Sequence, residues 1–151
     1  MRIVKKDSRL RAIVRAPRYL SIEIAVKTKT FGSPINYKLL TVDASLSGLL
    51  LLSNSPQNIP FSVNTILEIT METKSGMIDQ PISIVGKVVR REDKMINENE
   101  GKAFFGVKII DIDNFNLRLW NKFIEYLKDN SKEAGYTDEN GCFVRTLAVN
   151  G

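Results

Sequence analysis

The chain has 151 residues, of which 43% are hydrophobic and 26% are charged, with a formal net charge of +5. This length and composition fit one globular domain and differ from those of disordered or fibrous proteins. Histidine is absent and cysteine occurs once, so the chain lacks the commonest general base, the commonest zinc ligand and the two thiols of an internal disulfide. We therefore expect a protein that is not an enzyme and has no metal site.

The positive charge is concentrated at the N-terminus. Residues 1–20 hold seven of the 22 basic side chains and one of the 17 acidic ones, so they carry the whole excess. Such a segment is typical of an arm that binds nucleic acid, anionic lipid or a phosphorylated small molecule, although a solvated basic tail has the same composition. No apolar run reaches the length of a secretory signal or a membrane span. We expect a cytoplasmic protein that does not insert into membranes.

Six short segments have the two-residue hydrophobic period of β-strands. In the first of them, Leu20, Ile22, Ile24 and Val26 alternate with polar or small residues, as in a strand with one face in water. Gly86 is expected to mark a bulge or a point of close packing. The predicted strands are LSIEIAVKT (20–28), YKLLTV (37–42), LLLLS (49–53), TILEITMET (65–73), PISIVGKVVRRE (81–92) and KAFFGVKIIDI (102–112). Because no helix is predicted between them, they favour an antiparallel barrel or sandwich over a parallel sheet.

The hydrophobic period changes after the last strand. In FNLRLWNKFIEYLKDN (115–130) apolar residues recur every three or four positions, as on one face of a helix. They are Leu117, Trp120, Phe123, Ile124 and Leu127. Asp113 or Asn114 is expected to cap the helix. We interpret the stripe as a surface that packs on the β structure rather than as a ligand-binding box. In the tail, CFVRTLAV (142–149) either adds a strand or docks weakly.

Two short motifs carry the functional prediction. RLRAIVRAPRYL (9–20) holds four arginines and no acid, and DASLSG (43–48) lies between two predicted strands. In the second motif, Asp43 can accept hydrogen bonds, Ser45 can donate and accept them, and Gly48 permits a conformation or a close approach that a Cβ would forbid. Turns of this composition are often purely structural. Together with the arginines, however, the turn could bind a guanine nucleotide, since guanidinium groups bind phosphate and the Hoogsteen edge of guanine, and a carboxylate accepts from guanine N–H groups.

These features resemble the PilZ domains. RAIVR (11–15) resembles the RxxxR motif at the end of the family's N-terminal arm, DASLSG resembles its [D/N]xSxxG motif, and GKVVRRE (86–92) and FFGVKIIDI (104–112) look like its late strands. The resemblance spans about residues 9–128. It implies a mostly β protein, a six-stranded antiparallel β-barrel with a C-terminal α-helix, that acts as a receptor for the bacterial second messenger cyclic di-GMP. The ligand-binding residues that it implies are Arg11, Arg15, Arg18, Asp43, Ser45 and Gly48.

Two alignments of the arginine motif are possible. The literal alignment pairs Arg11 with Arg15. The other aligns the final motif arginine with Arg18, immediately before the first strand. The first motif position then falls on Val14, and Arg15 and Arg18 form a partial RxxR version of the motif. Arg15 is common to both alignments. In the literal alignment Leu10 precedes the motif, and the resemblance then implies a single bound ligand rather than a stacked ligand dimer.

The predicted organisation is a basic arm (1–19), a barrel with its helix (20–128) and a C-terminal tail (129–151). Without ligand the arm is expected to be mobile, because its charges repel one another and it has few apolar residues. A doubly anionic cyclic dinucleotide would order the arm over the barrel and create a surface for a downstream protein partner. No other cofactor is expected. Nucleic acid is a less favoured ligand, because Tyr19 is the one aromatic residue near the arm.

The alternative function is that of a PilZ-like adaptor that binds a protein partner and no nucleotide. The ambiguity of the arginine motif keeps this alternative open, since loss of one guanidinium could abolish binding. The sequence does not specify the oligomeric state, the downstream process or the role of the tail.

Overall fold

The computed structural model describes residues 17–20, 24–72, 80–98, 100–130, 133–137 and 143–145. A short 3₁₀ turn covers Pro56–Asn58, and one helix, α1, covers Asn114–Asn130. The strands in chain order are β1 (Pro17–Leu20), β2 (Ala25–Thr30), β3 (Tyr37–Ala44), β4 (Gly48–Ser53), β5 (Ile66–Met71), β6 (Ile82–Met95), β7 (Gly101–Asp111), β8 (Glu133–Thr137) and β9 (Phe143–Arg145).

Six of the strands close into an antiparallel barrel. They follow the order β2–β5–β6–β7–β4–β3, and β3 pairs back with β2. Alternation of side chains fills the interior: in β5, Leu67, Ile69 and Met71 are buried in the core, whereas Glu68 and Thr70 between them are not. The predicted six-stranded barrel with a C-terminal helix is confirmed.

The first predicted strand is wrong as a continuous element. The segment 20–28 is split, because β1 ends at Leu20 and β2 begins at Ala25. Both strands pair with β3: Leu20 is the partner of Asp43, and Ala25 is the partner of Leu40. Leu20 and Ala25 are five residues apart but their partners are only three apart, so the pairing with β3 is not continuous. The buried Thr41 lies at this break, where its backbone N–H donates to the carbonyl of Ile24. Leu20, predicted on the buried face, is therefore 44% exposed.

Helix α1 packs on the barrel as its stripe predicts. Trp120, Phe123, Ile124 and Leu127 are buried in the core cluster. Leu117 is the exception, since it is 38% exposed one turn from the start of the helix. The predicted cap is confirmed, because the carboxylate of Asp113 accepts the backbone N–H of Asn116 at 2.8 Å. Hydrogen bonds from Asn116 hold the pKa of Asp113 below its usual value.

Three strands, β1, β8 and β9, extend the sheet beyond the barrel. β1 pairs with the end of β3 on one side and with β8 on the other, and β8 pairs with β9. β9 lies within the segment 142–149, for which a strand was one of two expectations; β8 was not predicted. Among the described residues, no helix is both long enough and apolar enough to cross a membrane.

Candidate functional site

A bulge in β3 determines where Asp43 points. Thr41 pairs with Leu51 and Asp43 pairs with Leu50, so Val42 is an extra residue in the ladder. Leu51 belongs to the barrel core and Leu50 does not, which puts Asp43 on the outer face of the barrel. A bulge of this kind redirects the side chains that follow it. Without it, the carboxylate would lie on the same side of the strand as the buried Thr41.

Asp43 forms an ion pair with Arg18 of β1. The Nε atom of Arg18 donates to Oδ1 of Asp43 at 2.5 Å, and both side chains are 2% exposed. Burial lowers the pKa of Arg18, the carboxylate of Asp43 opposes this shift, and the nearby positive charge of Arg90 adds to it. A guanidinium nevertheless stays charged in a protein. Arg18 and Asp43 therefore form a buried salt bridge, in which removal of either partner would leave an uncompensated charge away from water.

The turn between β3 and β4 is closed by its own hydrogen bonds. The backbone N–H of Ser45 donates to the carbonyl of Gly48 at 2.9 Å, and the hydroxyl of Ser45 accepts the N–H of Ser47 at 3.2 Å. Both serines are buried. The turn is thus a compact corner whose hydroxyl groups are held in place.

Helix α1 and β7 fix this corner from outside. The indole N–H of Trp120 donates to the carbonyl of Ser45 at 3.0 Å, and the backbone N–H of Ile109 donates to the carbonyl of Ser47 at 2.8 Å. Because Trp120 is fully buried, its hydrogen bond is shielded from water and couples the helix to the turn.

Gly48 is required by a close approach of two strands. A Cβ at this position would lie 2.3 Å from the carbonyl oxygen of Val107 in β7. The backbone φ of Gly48 is not positive, in contrast to that of Gly32. Of the two reasons for a glycine that the sequence offered, the structure thus supports close packing. Both expectations for Gly86 are supported, because its Cβ would meet the side chain of Val107 at 2.4 Å and the register of β6 with β7 shifts between Val85 and Gly86.

We expect Gly48→Ala to lower the free energy of unfolding by about 1–3 kcal/mol, because the methyl group overpacks a backbone contact. Gly106→Ala is the matched control, since its Cβ would make ordinary contacts, the nearest at 3.6 Å. Urea unfolding followed by circular dichroism measures both. Equal destabilisation by the two variants would contradict the steric explanation.

A family model described as PilZ domain matches residues 9–126, which is more than half of the chain. The chain belongs to the PilZ domain family. The segment DASLSG (43–48) joins β3 to β4 of the barrel. PilZ domains are ligand-binding receptor domains rather than enzymes. None of the curated proteins matches the chain.

Solved PilZ structures share the fold at low sequence identity. The PilZ domain of Escherichia coli YcgR with c-di-GMP is 12% identical, with a TM-score of 0.61 over 76% of this chain and 91% of that chain. MrkH of K. pneumonia in its apo state is 18% identical, with a TM-score of 0.59 over 72% of this chain and 48% of that chain. The Bacillus subtilis inhibitor of motility, MotI/DgrA, is 11% identical, with a TM-score of 0.56 over 76% of this chain and 48% of that chain. This chain thus spans about half the length of MrkH and of MotI.

The predicted PilZ site residues fall into two groups. Arg18, Asp43, Ser45 and Gly48 come together where β1 meets the β3–β4 turn. Arg11 and Arg15 lie outside the described residues. Two residues that sequence reasoning did not assign to the site also reach it: Trp120 through its hydrogen bond to Ser45, and Arg90 through its charge beside Arg18. Within the described parts of the chain, no three carboxylate or thiol groups are arranged to hold a metal ion.

Proposed function

We propose that this PilZ protein is a cyclic di-GMP receptor that binds the nucleotide between its arginine arm and the DASLSG turn. The observation that carries the proposal is the convergence of Asp43, Ser45 and Gly48 with an arginine of the arm at one corner of the barrel. The similarity to the E. coli YcgR domain with c-di-GMP adds support. The proposal includes one ligand per protomer, a cytoplasmic location and a downstream protein partner.

Arg18 acts in this proposal as a positioning residue. Its guanidinium is already paired with the carboxylate of Asp43. The arginines that bind phosphate are therefore Arg11 and Arg15, as in the literal alignment. A carboxylate that is already oriented loses less entropy when it accepts guanine N–H groups. Arg18 thus contributes to affinity through Asp43 rather than by a contact of its own.

Ligand binding must be accompanied by a rearrangement. Asp43 is 1% exposed and Ser45 is 0% exposed, so a nucleotide reaches them only after the residues that cover them move. We infer that the part of the arm that precedes β1, residues 1–16, changes position on binding and then orders over the nucleotide. A movement that the ligand must drive lowers its apparent affinity by the fraction of molecules that are open.

Arg15→Ala is expected to weaken cyclic di-GMP binding about 10- to 100-fold, because each charge-assisted hydrogen bond is worth about 1.5–3 kcal/mol. Isothermal titration calorimetry measures the effect. Arg118→Ala is the matched control, because it removes the same charge from the exposed face of α1; its affinity should stay that of the wild type. Equal losses in the two variants would indicate a general charge effect and contradict the site.

Hydrogen exchange provides the second readout of this experiment. Amide exchange in residues 1–20 should slow at saturating cyclic di-GMP and stay fast in Arg15→Ala at the same ligand concentration. Unchanged exchange in the saturated wild-type protein would contradict the ordering of the arm while leaving binding itself intact.

The second candidate function is that of an adaptor that binds no nucleotide. It is favoured by the ion pair itself, because the carboxylate of Asp43 is already neutralised by a guanidinium of its own chain and both groups are buried. The adaptor hypothesis predicts no heat from cyclic di-GMP in a wild-type protein that is demonstrably folded. Micromolar binding that Arg15→Ala weakens would exclude it.

A further inference from the structure

The outer face of the hairpin β6–β7 carries a cluster of three cations: Lys87, Arg90 and Lys108. The register pairs Lys87 with Lys108, Val88 with Val107 and Arg90 with Gly106, so Val89 is an extra residue in β6. Val88 points into the core. In a regular strand Arg90 would share that inward side, but the bulge moves it to the outer side, where Lys87 lies.

The arrangement of these charges opposes folding. Lys87 and Lys108 are direct cross-strand partners, and like charges placed opposite each other destabilise a sheet. All three side chains are half-buried, which reduces the screening of their repulsion by water. Among the residues that the structure describes, none of the three forms a salt bridge.

Two other cations of the barrel have an acid beside them. Arg91, the next residue of β6, pairs with Asp93 and donates to the carbonyl of Ile59. The Lys27 side chain also faces a lysine across the ladder, Lys38. There, however, Glu72 lies 3.8 Å from the Nζ atom of Lys27. Lys94 and Lys102 also face each other across this hairpin without a salt bridge in the described structure, but both are exposed to water. The three-cation cluster differs from them in being half-buried.

The cluster is continuous with the candidate site. Arg90, Gly106, Leu50 and Asp43 are successive cross-strand partners on the outer face. In the adjacent row Lys108 is the partner of Gly48. The residues paired with Arg90 and Lys108 on the way to the Asp43 turn are therefore the glycines Gly106 and Gly48. Because they have no side chains, no side chain protrudes from these two positions.

We propose that Lys87, Arg90 and Lys108 form an anion subsite that binds a phosphate group. In the proposed function, on which the identity of the natural ligand rests, this group is the phosphodiester of cyclic di-GMP that the arm does not bind. A half-buried phosphate would accept charge-assisted hydrogen bonds from all three side chains. It would also remove the repulsion between them and between Arg90 and Arg18.

The test compares two double variants that each remove two positive charges from a cross-strand lysine pair. Lys87→Gln/Lys108→Gln removes the cluster pair, and Lys27→Gln/Lys38→Gln is the matched control. Calorimetry with cyclic di-GMP should give an affinity about ten-fold or more weaker for the cluster variant, since hydrogen bonds to charged groups are the strong ones. The control should match the wild type. Equal affinities in the cluster variant and the control would overturn the subsite.

Thermal unfolding separates a binding role from a structural one. The cluster variant should melt at the same temperature as the wild type or higher, because it relieves a repulsion. A lower melting temperature together with weaker binding would mean that the lysines support the fold, and would overturn the proposal.

A titration with inorganic phosphate makes the subsite testable apart from the proposed function. Amide NMR signals of Gly48 and Gly106 should shift with phosphate in the wild type and not in the cluster variant. If cyclic di-GMP gives no heat but these shifts occur, the receptor proposal fails and the subsite stands as a site for free phosphate. If neither ligand has an effect that depends on the cluster, the subsite is wrong.

Discussion

Asp43→Ala is expected to lower the free energy of unfolding by about 3–5 kcal/mol, because the buried guanidinium of Arg18 would lose its carboxylate. The two groups lie 2.5 Å apart and are each 2% exposed, so water cannot replace the lost partner. Urea unfolding followed by circular dichroism measures the change. For a domain of this size such a loss is a large part of the total stability.

Two controls distinguish a buried pair from an ordinary one. Glu72→Ala breaks the exposed pair with Lys27 and should cost less than about 1 kcal/mol. Replacing both buried partners, as Arg18→Met/Asp43→Leu, should be near neutral or stabilise by about 1–4 kcal/mol, because neither charge is then left buried. Equal effects of Asp43→Ala and Glu72→Ala would show that water reaches the Arg18–Asp43 pair in solution.

The stability of Asp43 variants also bears on how binding data are interpreted. In the proposed receptor, a loss of cyclic di-GMP binding in Asp43→Ala would combine a lost ligand contact with a weakened fold. Binding by Arg15→Ala is the cleaner measure of the site, since that residue belongs to the arm, and Asp43 variants are informative only at temperatures where their folded fraction is known.

The sequence predicts the elements of this fold because their signals are local. The alternation in β5 and the three- and four-residue spacing in α1 each depend on which side chains one element buries. The cap at Asp113 depends on a hydrogen bond only three residues long. β8 has no such signal. It joins the sheet by pairing with β1, and the backbone hydrogen bonds of a ladder can be made by almost any sequence.

The geometry of the candidate site is less predictable because it depends on cross-strand register. Val42 and Val89 are extra residues within their ladders, and neither has a glycine or proline beside it to signal a bulge. The bulges nonetheless decide that Asp43 and Arg90 face outward. The sequence could likewise identify a group of arginines, but it could not identify Arg18 as the one paired with a carboxylate 25 residues later.

Trp120→Ala is expected to destabilise the protein by about 3–5 kcal/mol, the usual cost of truncating a buried aromatic side chain. Trp120 is fully buried and packs against Phe123, with the ring centroids 5.4 Å apart. Circular dichroism is the appropriate probe of unfolding, because the substitution removes the only tryptophan of the chain. A cost below about 1 kcal/mol would contradict core packing of the helix.

A more conservative substitution, Trp120→Phe, tests whether the helix holds the turn in place for binding. Phenylalanine retains most of the packing but cannot donate to the carbonyl of Ser45, and leaving this buried acceptor without its donor costs about 1–3 kcal/mol. Phe123→Leu is the matched control, because it perturbs the same core and retains the indole N–H that donates to Ser45. If the hydrogen bond positions Ser45, amide exchange at Ser47 and Gly48 should accelerate and cyclic di-GMP affinity should fall in Trp120→Phe alone. If both variants lose affinity in proportion to their stability, the tryptophan supports the barrel as a whole and has no separate effect on the turn.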